Sequence, residues 1–371
     1  MKITFVLADH FPDDERVWYQ QAASLKVRGH EVFVVSSKLE KCDLKNVFCF
    51  NDDGLSKKRV IGNLANILLE IKPDMLICDH PISVFAARKY NLLTTNRTPI
   101  VYDVTEWYPS RTNLQNRFFF RKMIKFIALL SLSFFAGCTT NKFIFGEYHK
   151  GIFFRILFPF KKYIYLPYFA TVEDVKQYPV QNIADRCELF YSGKLSKASG
   201  FDKVLEVAVK CAKKMANTEF VLKVVSNQEF EIDKWSHIQN LKIILMKKIP
   251  YHDFCEEIGK SDIFMDLRKI DFVNNYSLPI KIFYYLAAGR PVIYSESKAI
   301  KNFFSKNEIE NFGLLTDPNP IDKIVDTIAF FVHNRDYYYQ CCTFSYEIAK
   351  NKYHWNIIKN KFTDFIENNA A

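Results

Sequence analysis

Short apolar runs of strand length alternate along the chain with segments of helical period. In the first half the pattern predicts strands at Ile3–Ala8, Glu31–Ser36, Met75–Cys78, Pro99–Tyr102 and near Gly137–Thr140. Between them it predicts helices that include Glu15–Arg28 and Lys58–Ile71. This alternation is typical of a parallel sheet with crossover helices, so it predicts a doubly wound α/β unit.

A second series of alternating runs predicts another unit of similar size. Its strands are predicted at Glu188–Gly193, Phe220–Val225, Lys242–Met246, Ile263–Leu267, Pro291–Tyr294 and Gly313–Thr316. Between the two series, Pro167 to Asp185 contains two prolines, mixed charge and weak periodicity, which is typical of a linker. A chain of 371 residues also has the usual length of two domains.

The composition disfavours several classes of protein. The 11 glycines form neither G-x-G-x-x-G nor a Walker A loop, which argues against glycine-loop dinucleotide and ATP sites. The nine cysteines are an odd number without a C-x-x-C pair, so neither a disulfide framework nor a zinc finger is indicated. Met1 and Lys2 lead directly into the first strand, which is not the pattern of a signal peptide. We therefore expect a reducing, cytoplasmic compartment.

One segment carries nearly all of the net charge. The chain has a formal charge of +10, and Arg111–Tyr163 has ten Lys/Arg, the single acid Glu147 and 12 of the 35 phenylalanines. At helical spacing the basic residues form one stripe and the apolar residues another: Arg117, Arg121 and Lys125 against Phe119, Met123, Phe126 and Leu130. Such a helix suits an anionic membrane surface.

The length of the apolar run indicates whether this segment attaches to a membrane surface or spans the membrane. Phe126–Cys138 is 13 residues, short of the roughly 20 that cross a bilayer, so we expect peripheral membrane attachment through residues 111–163. The alternative is that Phe126–Phe135 is the buried face of a crossover helix. Nucleic acid binding would use the same charge, but no helix-turn-helix, zinc or ribonucleoprotein pattern accompanies it.

The stretch from Asn274 to Ile293 reads as loop, helix, stop and strand. Ser277 is the predicted N-cap, Pro279 lies in the first turn, and Gly289 ends the helix. The backbone N–H groups of such a helix start, with Lys281 one turn in, would form an anion site able to hold a diphosphate. The alternative is an ordinary capped helix with Lys281 in solvent.

The order and spacing of several short motifs resemble the GT-B glycosyltransferases, and among them the family 4-like group that builds bacterial surface polysaccharides. The motifs are Gly29-His-Glu-Val32, Lys72-Pro-Asp74, Tyr102-Asp-Val-Thr-Glu-Trp-Tyr-Pro109, Tyr191-Ser-Gly-Lys-Leu195, Leu278-Pro-Ile-Lys281 and Tyr285-Leu-Ala-Ala-Gly-Arg-Pro-Val-Ile293. The resemblance implies two Rossmann-like doubly wound domains facing across a cleft. Residues 1–168 would bind the acceptor and residues 186–345 the nucleotide-sugar, and the helical segment 346–371 would return to the first domain.

The resemblance also implies an activity and a donor site. It implies a glycosyltransferase that moves a sugar from a nucleotide-diphosphate sugar to a hydroxyl of a glycan, which we expect to be lipid-linked, at the inner face of the cell membrane. The implied donor-binding residues are Gly193, Lys194, Ser277, Leu278, Lys281 and Tyr284. Arg268 and Asn275 are predicted to lie near the same site and to bind the donor, and the alternative is that both are ordinary surface residues. Since Lys194 and Lys281 would neutralise the diphosphate and no Asp-x-Asp is present, we expect neither a metal nor a cofactor.

The chain departs from the family pattern at the reacting centre. Retaining members carry two glutamates where this chain has Tyr276 and Tyr284, and neither tyrosine can act as a carboxylate. Inverting members use a carboxylate of the N-terminal domain as general base. Glu106 is the preferred candidate and Asp103 the second, because both follow a strand at its carboxyl end. The alternative is that Asp103 caps a turn and Glu106 pairs with a lysine, so the stereochemistry stays open.

The acceptor side is predicted from residues after the first and fourth strands of the first unit. His10, Arg16 and Trp107 are the candidate acceptor-binding residues. A loop histidine whose hydrogen bonds are satisfied within the protein is the alternative for His10. Two other functions also remain: a catalytically inactive GT-B partner subunit, and a nucleotide-sugar epimerase.

Overall fold

The chain forms two compact α/β units. The computed structural model describes residues 1–38, 44–94, 97–106, 119–247 and 249–368. The first unit comprises Met1–Tyr168 with Ile358–Ala371, and the second comprises Phe169–Ile357. Each unit is built on one parallel sheet.

The first unit contains a seven-stranded sheet in the order β3-β2-β1-β4-β5-β6-β7. Its strands are β1 (Lys2–Leu7), β2 (Glu31–Ser36), β3 (Val47–Cys49), β4 (Met75–Cys78), β5 (Ile100–Val104), β6 (Lys142–Phe145) and β7 (Lys162–Tyr165). Strands β1, β4 and β5 are buried along nearly their whole length, as expected for a parallel sheet covered on both faces. Because β2 and β4 lie on opposite sides of β1, the sheet has a topological switch point between β1 and β4.

Helices connect these strands. A π-helix at Glu15–Ala22 continues into α1 (Ala23–Val27), followed by α2 (Lys57–Ile71), α3 (Pro81–Leu93), α4 (Phe119–Thr139) and α5 (Tyr148–Leu157). The amphipathic helix α2 buries Val60, Leu64, Leu68 and Ile71, which recur at helical spacing, in the core of the unit.

The second unit contains a six-stranded sheet in the order β10-β9-β8-β11-β12-β13. Its strands are β8 (Arg186–Ser192), β9 (Glu219–Val225), β10 (Leu241–Met246), β11 (Ile263–Asp266), β12 (Val292–Ser295) and β13 (Gly313–Thr316). The helices are α6 (Phe201–Lys214), α7 (Tyr251–Lys260), α8 (Phe272–Tyr276), α9 (Lys281–Ala287), α10 (Lys298–Phe303), α11 (Lys306–Phe312), α12 (Asp322–His333) and α13 (Arg335–Asn351). The last helix, α14 (Trp355–Glu367), begins in the second unit, but from Ile358 onward it belongs to the first unit. Short 3-10 helices lie at Val172–Asp174, Lys197–Ser199 and Ile232–Trp235.

The predicted doubly wound α/β fold is confirmed, and most predicted strands lie within two residues of their observed bounds. The strand expected near Gly137–Thr140 is wrong, because α4 continues to Thr139 and the strand follows at Lys142–Phe145. The helix end is stabilised by Lys161, whose ammonium donates to the carbonyls of Gly137 and Cys138 at 2.6 and 2.9 Å. The short strands β3 and β7 were not predicted, since neither stands out as an apolar run.

Helix α4 also corrects the length argument made from the sequence. Its stretch Phe120–Thr139 has 20 residues and a mean hydropathy of 1.5, which is long and apolar enough to cross a membrane by length and composition. Only 17% of its most apolar window is buried, so the alternative of a buried crossover face is wrong. Counting only the run Phe126–Cys138 therefore underestimated this surface.

Candidate active site

The second sheet has its topological switch point between β8 and β11. Strand β9 pairs with β8 on one side, and β11 pairs with it on the other. Crossover connections then leave in opposite directions, and the resulting crevice at the carboxyl ends of the strands is where ligands bind in open α/β sheets. Ser192 ends β8 and Asp266 ends β11, so residues directly after these two strands line the candidate site.

Lys281 brings an ammonium group to this crevice. Its Nζ donates to the carbonyl oxygen of Ser192 at 2.5 Å, and the contact is partly buried. Lys281 is the first residue of α9, where Ile280 is the N-cap without a side-chain hydrogen bond. The alternative of a solvent-facing lysine therefore does not describe this side chain.

The predicted helix start at Ser277 is wrong. Helix α8 ends at Tyr276, residues 277–280 are not helical, and the seven-residue α9 begins at Lys281. The physical reason is Pro279, whose ring disfavours helical backbone at the preceding Leu278, so a helix cannot begin directly after Ser277. Ser277 and Leu278 thus lie on the link between two helices, next to Lys281 but outside a capping position.

The loop after β8 is held in one conformation by side chains of the same unit. Tyr191 donates its hydroxyl to the carbonyl of Lys194 at 2.7 Å, and the N–H of Leu195 donates to Gln228 Oε1 at 2.6 Å. A Cβ at Gly193 would lie 3.0 Å from the Tyr191 hydroxyl, so a larger residue there would require this hydroxyl to shift. The side chain of Lys194 is exposed at the mouth of the crevice.

The loops after β8 and β11 contact each other. Gly200 has φ +74, and a Cβ there would lie 1.9 Å from the carbonyl oxygen of Leu267. The N–H of Lys269 also donates to the carbonyl of Ala198 at 3.1 Å. Only glycine permits this approach and this backbone conformation. The contact fixes Arg268 relative to the loop that carries Lys194.

Arg268 forms a two-pronged ion pair with Asp266. Its Nε donates to Oδ1 of Asp266 at 2.8 Å, and its Nη2 contacts Oδ2. Burial alone would lower the pKa of Arg268, but the Asp266 charge outweighs it and raises the pKa. Together with Lys194 and Lys281, Arg268 brings the number of cationic side chains at this edge of the sheet to three.

Two other predicted donor-binding residues, Asn275 and Tyr284, contact other residues of the second unit. Asn275 accepts through Oδ1 from the N–H of Lys298 at 2.8 Å, at the start of α10. Tyr284 is 4% exposed, and its ring packs against Tyr251 and Phe254 with centroids 6.1 and 6.2 Å apart. Tyr284 thus packs α9 against α7, and its role in donor binding stays a prediction.

The first sheet carries acids and a histidine at its own switch point. His10 Nδ1 lies 2.9 Å from Oδ2 of Asp79, the residue directly after β4. Asp79 also accepts from the N–H of Ala8 at 3.0 Å and from the hydroxyl of Ser83 at 3.0 Å. Burial lowers the pKa of His10, but the hydrogen bond to Asp79 and the charges of Asp14 and Asp79 outweigh it and raise that pKa to about 9. His10 is therefore an imidazolium at neutral pH.

Arg16 and Asp103 bind each other in the interior of the first unit. Nε and Nη2 of Arg16 donate to the two carboxylate oxygens of Asp103 at 3.1 and 3.2 Å. Gln21 donates to Oδ2 of Asp103 at 2.8 Å, and Arg16 also donates to the carbonyl of Leu166 at 3.1 Å. The two charged side chains are about 5% exposed. Through these hydrogen bonds Arg16 connects the π-helix to β5 and to the residue that follows β7. Their roles in acceptor binding and proton transfer stay predictions.

Glu106 is exposed two residues after β5. The negative charge of Glu106 favours the protonated form of His80, which follows β4, and that of Lys150. Nζ of Lys150 donates a hydrogen bond to the carbonyl of Thr105 at 2.5 Å. Trp107, the third predicted acceptor residue, lies outside the described residues.

Three residues that organise these two edges were not predicted from the sequence. Asp79 pairs with His10, Asp266 orients Arg268, and Gln228 fixes the loop of Lys194. Asp79 and Asp266 could have been found, because each carboxylate stands at the carboxyl end of a predicted strand. Among the described residues, no group of three or more His, Cys, Asp or Glu side chains is placed to hold a metal ion.

Part of the chain matches a family model, and nearly the whole chain is similar in fold to solved structures. Residues 176–347 match the model of the family Glycosyl transferases group 1. Sucrose-phosphate synthase from Thermosynechococcus elongatus has 11% sequence identity and a TM-score of 0.70, over 98% of both chains. Anabaena Alr3699/HepE, solved with UDP-glucose, has 12% identity and a TM-score of 0.70, over 99% of this chain and 100% of that chain. WaaG, a glycosyltransferase involved in lipopolysaccharide biosynthesis, has 14% identity and a TM-score of 0.68, over 98% of this chain and 99% of that chain. No curated protein sequence matches significantly.

These likenesses define the fold of the chain. The two parallel sheets and the nearly complete overlap with the solved structures establish the two-domain GT-B fold that the motifs predicted. The matched family covers most of the second unit, which contains the cationic crevice. The chain has the GT-B fold, and most of its second unit matches the Glycosyl transferases group 1 family.

Proposed function

We propose that the protein transfers a sugar from a nucleotide-diphosphate sugar to a hydroxyl of a lipid-linked glycan in the synthesis of a surface polysaccharide. The observation that carries this proposal is the placing of Lys194, Arg268 and Lys281 after β8 and β11 and at the start of α9, around one switch point. A diphosphate in a partly desolvated crevice needs such compensation. The UDP-glucose bound to HepE supports the same class of donor.

The donor site uses residues of the second unit. The ammonium of Lys281 lies at the carboxyl end of β8, where it would hold the diphosphate together with Lys194. Arg268 is oriented by Asp266 and supplies a third positive charge. Gly193, Ser277 and Leu278 lie on the surrounding loops and Asn275 lies on α8, and these residues would position the diphosphate and the sugar. Because the cations perform the neutralisation, the proposed reaction requires no metal or other cofactor.

We assign proton transfer and acceptor binding to the first unit. Glu106 is the proposed general base, since Asp103 is fully engaged with Arg16 and Gln21. His10 is unsuited to be the base at neutral pH because its pKa is about 9. Its side chain is 29% exposed, so we propose that the imidazolium donates a hydrogen bond to an acceptor oxygen while Asp79 orients the ring.

The membrane is the proposed partner of helix α4 and its surroundings. Thirteen of the twenty-one exposed large apolar side chains of the described residues lie between Phe120 and Tyr163. The longer segment Arg111–Tyr163, which contains these residues, carries nine of the ten net positive charges. An apolar surface with basic residues binds anionic lipid headgroups and the acyl boundary. The proposed location is therefore the inner face of the cell membrane, where a lipid-linked acceptor is presented.

Attachment on one side of the membrane fits the topology of α4 better than spanning. The helix connects β5 to β6, and these two strands are hydrogen-bonded neighbours in one sheet. Ser133 and Ala136 of the helix are buried, so one side of α4 packs on the unit. A helix whose neighbouring strands belong to one sheet is expected to lie along a bilayer with its exposed face inserted.

Thermal-shift measurements with UDP-, GDP-, dTDP- and CMP-sugars test the donor proposal. One nucleotide family should raise the melting temperature of the wild type, because a ligand that binds only the folded state stabilises it. The shift should be absent in Lys281→Ala and retained in Lys210→Ala, a matched control on the exposed face of α6. Absence of a shift with every nucleotide-sugar would contradict the proposal.

The membrane proposal has a separate test. Replacing Arg117, Arg121 and Lys125 with Ser should weaken binding to anionic vesicles while nucleotide-sugar binding is unchanged. Unchanged vesicle binding would contradict the role assigned to this surface.

A catalytically inactive partner subunit is the second candidate function. The observation that favours it is the burial of Tyr284 against Tyr251 and Phe254, where retaining relatives carry a catalytic glutamate. Donor binding without turnover on any lipid-linked glycan would support this candidate.

A further inference from the structure

An open groove of about 410 Å³ lies between α5 and β7 in the first unit. Its walls include Tyr148, Ile152, Arg155, Ile156 and Tyr163. The groove is formed within the basic segment, but neither the donor site nor the acceptor residues include any of these side chains. It is therefore separate from the site described above.

Arg155 is held in the groove by tyrosines. The centre of its guanidinium lies 5.1 Å from the ring centroid of Tyr163 and 5.8 Å from that of Tyr148. Its Nη1 donates to the hydroxyl of Tyr165 at 3.3 Å. Planar stacking on aromatic rings restricts a guanidinium, so less entropy is lost when it binds an anion.

The charge of Arg155 is not matched by an acid. No ion pair joins Arg155 to a carboxylate of the described residues, and the carboxylate of the nearby Glu147 lies 2.9 Å from Nζ of Lys150. The polar side chains that line the groove are arginine and tyrosines, without an amide or a carboxylate. A sugar ring is usually recognised by acceptors as well as donors, whereas this set of N–H and O–H donors suits an anion.

The rim of the groove is apolar and exposed. Ile156 is 72% exposed, Phe160 is 99% exposed, and Ile152 and Leu157 are also exposed. The surface is continuous with α4, since Phe134 stacks on Phe158 of the groove wall with centroids 5.7 Å apart. A free phosphate ester would use only Arg155, while an anionic lipid would also bury these apolar side chains.

We propose that this groove binds the phosphate of an anionic phospholipid headgroup, with Arg155 as the ligand and Ile156 and Phe160 inserted beside the acyl chains. The proposal rests on the membrane association proposed above and names its lipid contact. Arg155 would donate two parallel hydrogen bonds to phosphate oxygens, which a lysine cannot reproduce.

Vesicle co-sedimentation tests the proposal, with phosphatidylcholine vesicles that contain or lack phosphatidylglycerol. Arg155→Gln should weaken binding to the phosphatidylglycerol vesicles by about twentyfold, because it removes paired hydrogen bonds as well as charge. Arg121→Gln is the matched control on the exposed face of α4, and it should cost about fivefold, as expected for one basic residue near an anionic surface. Arg155→Lys should lie between the two. Glycerol 1-phosphate at millimolar concentration should not release the wild-type protein.

The possible results separate this inference from the proposed function. Equal losses for Arg155→Gln and Arg121→Gln would overturn the headgroup site while leaving membrane association intact. Release by glycerol 1-phosphate would also overturn it, in favour of a soluble phosphate ester. If the wild type binds neither kind of vesicle, both the site and the membrane association are wrong. Nucleotide-sugar binding by the second unit, measured on each variant, controls for folding.

Discussion

The carboxyl edges of the two sheets share a topology but carry opposite chemistry. At the first edge, Asp79 and Asp103 are buried and each is bound to a cationic side chain. At the second edge, Lys194 and Lys281 add positive charge beyond the Arg268 and Asp266 pair. Under the proposed function, the same switch-point geometry would serve hydroxyl and proton chemistry in one unit and anion binding in the other, and the residues that follow the strands would decide which.

The difference also predicts how substitutions act. Charges that neutralise each other in the interior stabilise the unit only as a pair, so removing one partner should reduce stability. The lysines of the second edge are exposed or only partly buried, so removing one should mainly reduce binding. The following predictions separate these two kinds of effect.

Replacing Arg16 with Ala should cause the largest loss of stability. The change leaves the Asp103 carboxylate buried beside Gln21 without its cation, and the free energy of unfolding should fall by about 4 kcal/mol. Urea denaturation measures this. Arg28→Ala is the control, since Arg28 forms an exposed pair with Asp364 at 2.7 Å, and it should cost less than about 1 kcal/mol. Equal losses for the two variants would refute the structural role of the Arg16 and Asp103 pair.

Glu106→Gln should act on turnover and not on stability. As general base, Glu106 is expected to contribute about a hundredfold to kcat, while KM for the nucleotide-sugar should stay the same. The control variant is Glu70→Gln, which removes the same charge from the exposed side of α2 and should leave kcat unchanged. Full activity of Glu106→Gln would remove this residue from the mechanism and make another group of the first edge the base.

The His10 and Asp79 pair should give the first unit a pH-dependent stability. The pKa of His10 is raised from 6.5 to about 9, so the folded state binds the proton more tightly than the unfolded state. Its contribution, on the order of 1–2 kcal/mol after solvent screening, is complete below pH 6.5 and is lost as the pH rises through 9. Denaturation curves between these pH values should show this slope in the wild type and lose it in His10→Gln. A slope of the same size in both would show that other groups titrate.

Much of the fold and part of the site could be predicted from the sequence because both depend on local patterns. Runs such as Glu31–Ser36 and Gly313–Thr316 end where the predicted strands end, since apolar β-rich segments stop at polar residues or turns. The same alternation places Asp103, Lys194 and Arg268 after strands. The sequence could not show that Asp103 lies against Arg16, because 87 residues separate them and only the sheet order brings them together.

The errors have equally local causes. Thr139 and Thr140 favour a strand by propensity, but their hydroxyls donate to the carbonyls of Phe135 and Ala136 at the end of α4. The position of the helix start near Lys281 depended on the restriction that Pro279 imposes on Leu278, which outweighs the capping preference of Ser277. The apolar surface of α4 was underestimated because a run of uninterrupted apolar residues is shorter than the helix that presents it.

The central claim is that the second edge binds the diphosphate of the donor through Lys281. Isothermal titration of the preferred nucleoside diphosphate and of the corresponding monophosphate, with wild type, Lys281→Ala and Lys210→Ala, tests it most directly. We predict that Lys281→Ala weakens diphosphate binding by about thirtyfold and monophosphate binding by less than about threefold, because the charge-assisted contact is made mainly with the second phosphate. Lys210→Ala should match the wild type. Equal affinities of wild type and Lys281→Ala for the diphosphate would contradict the account.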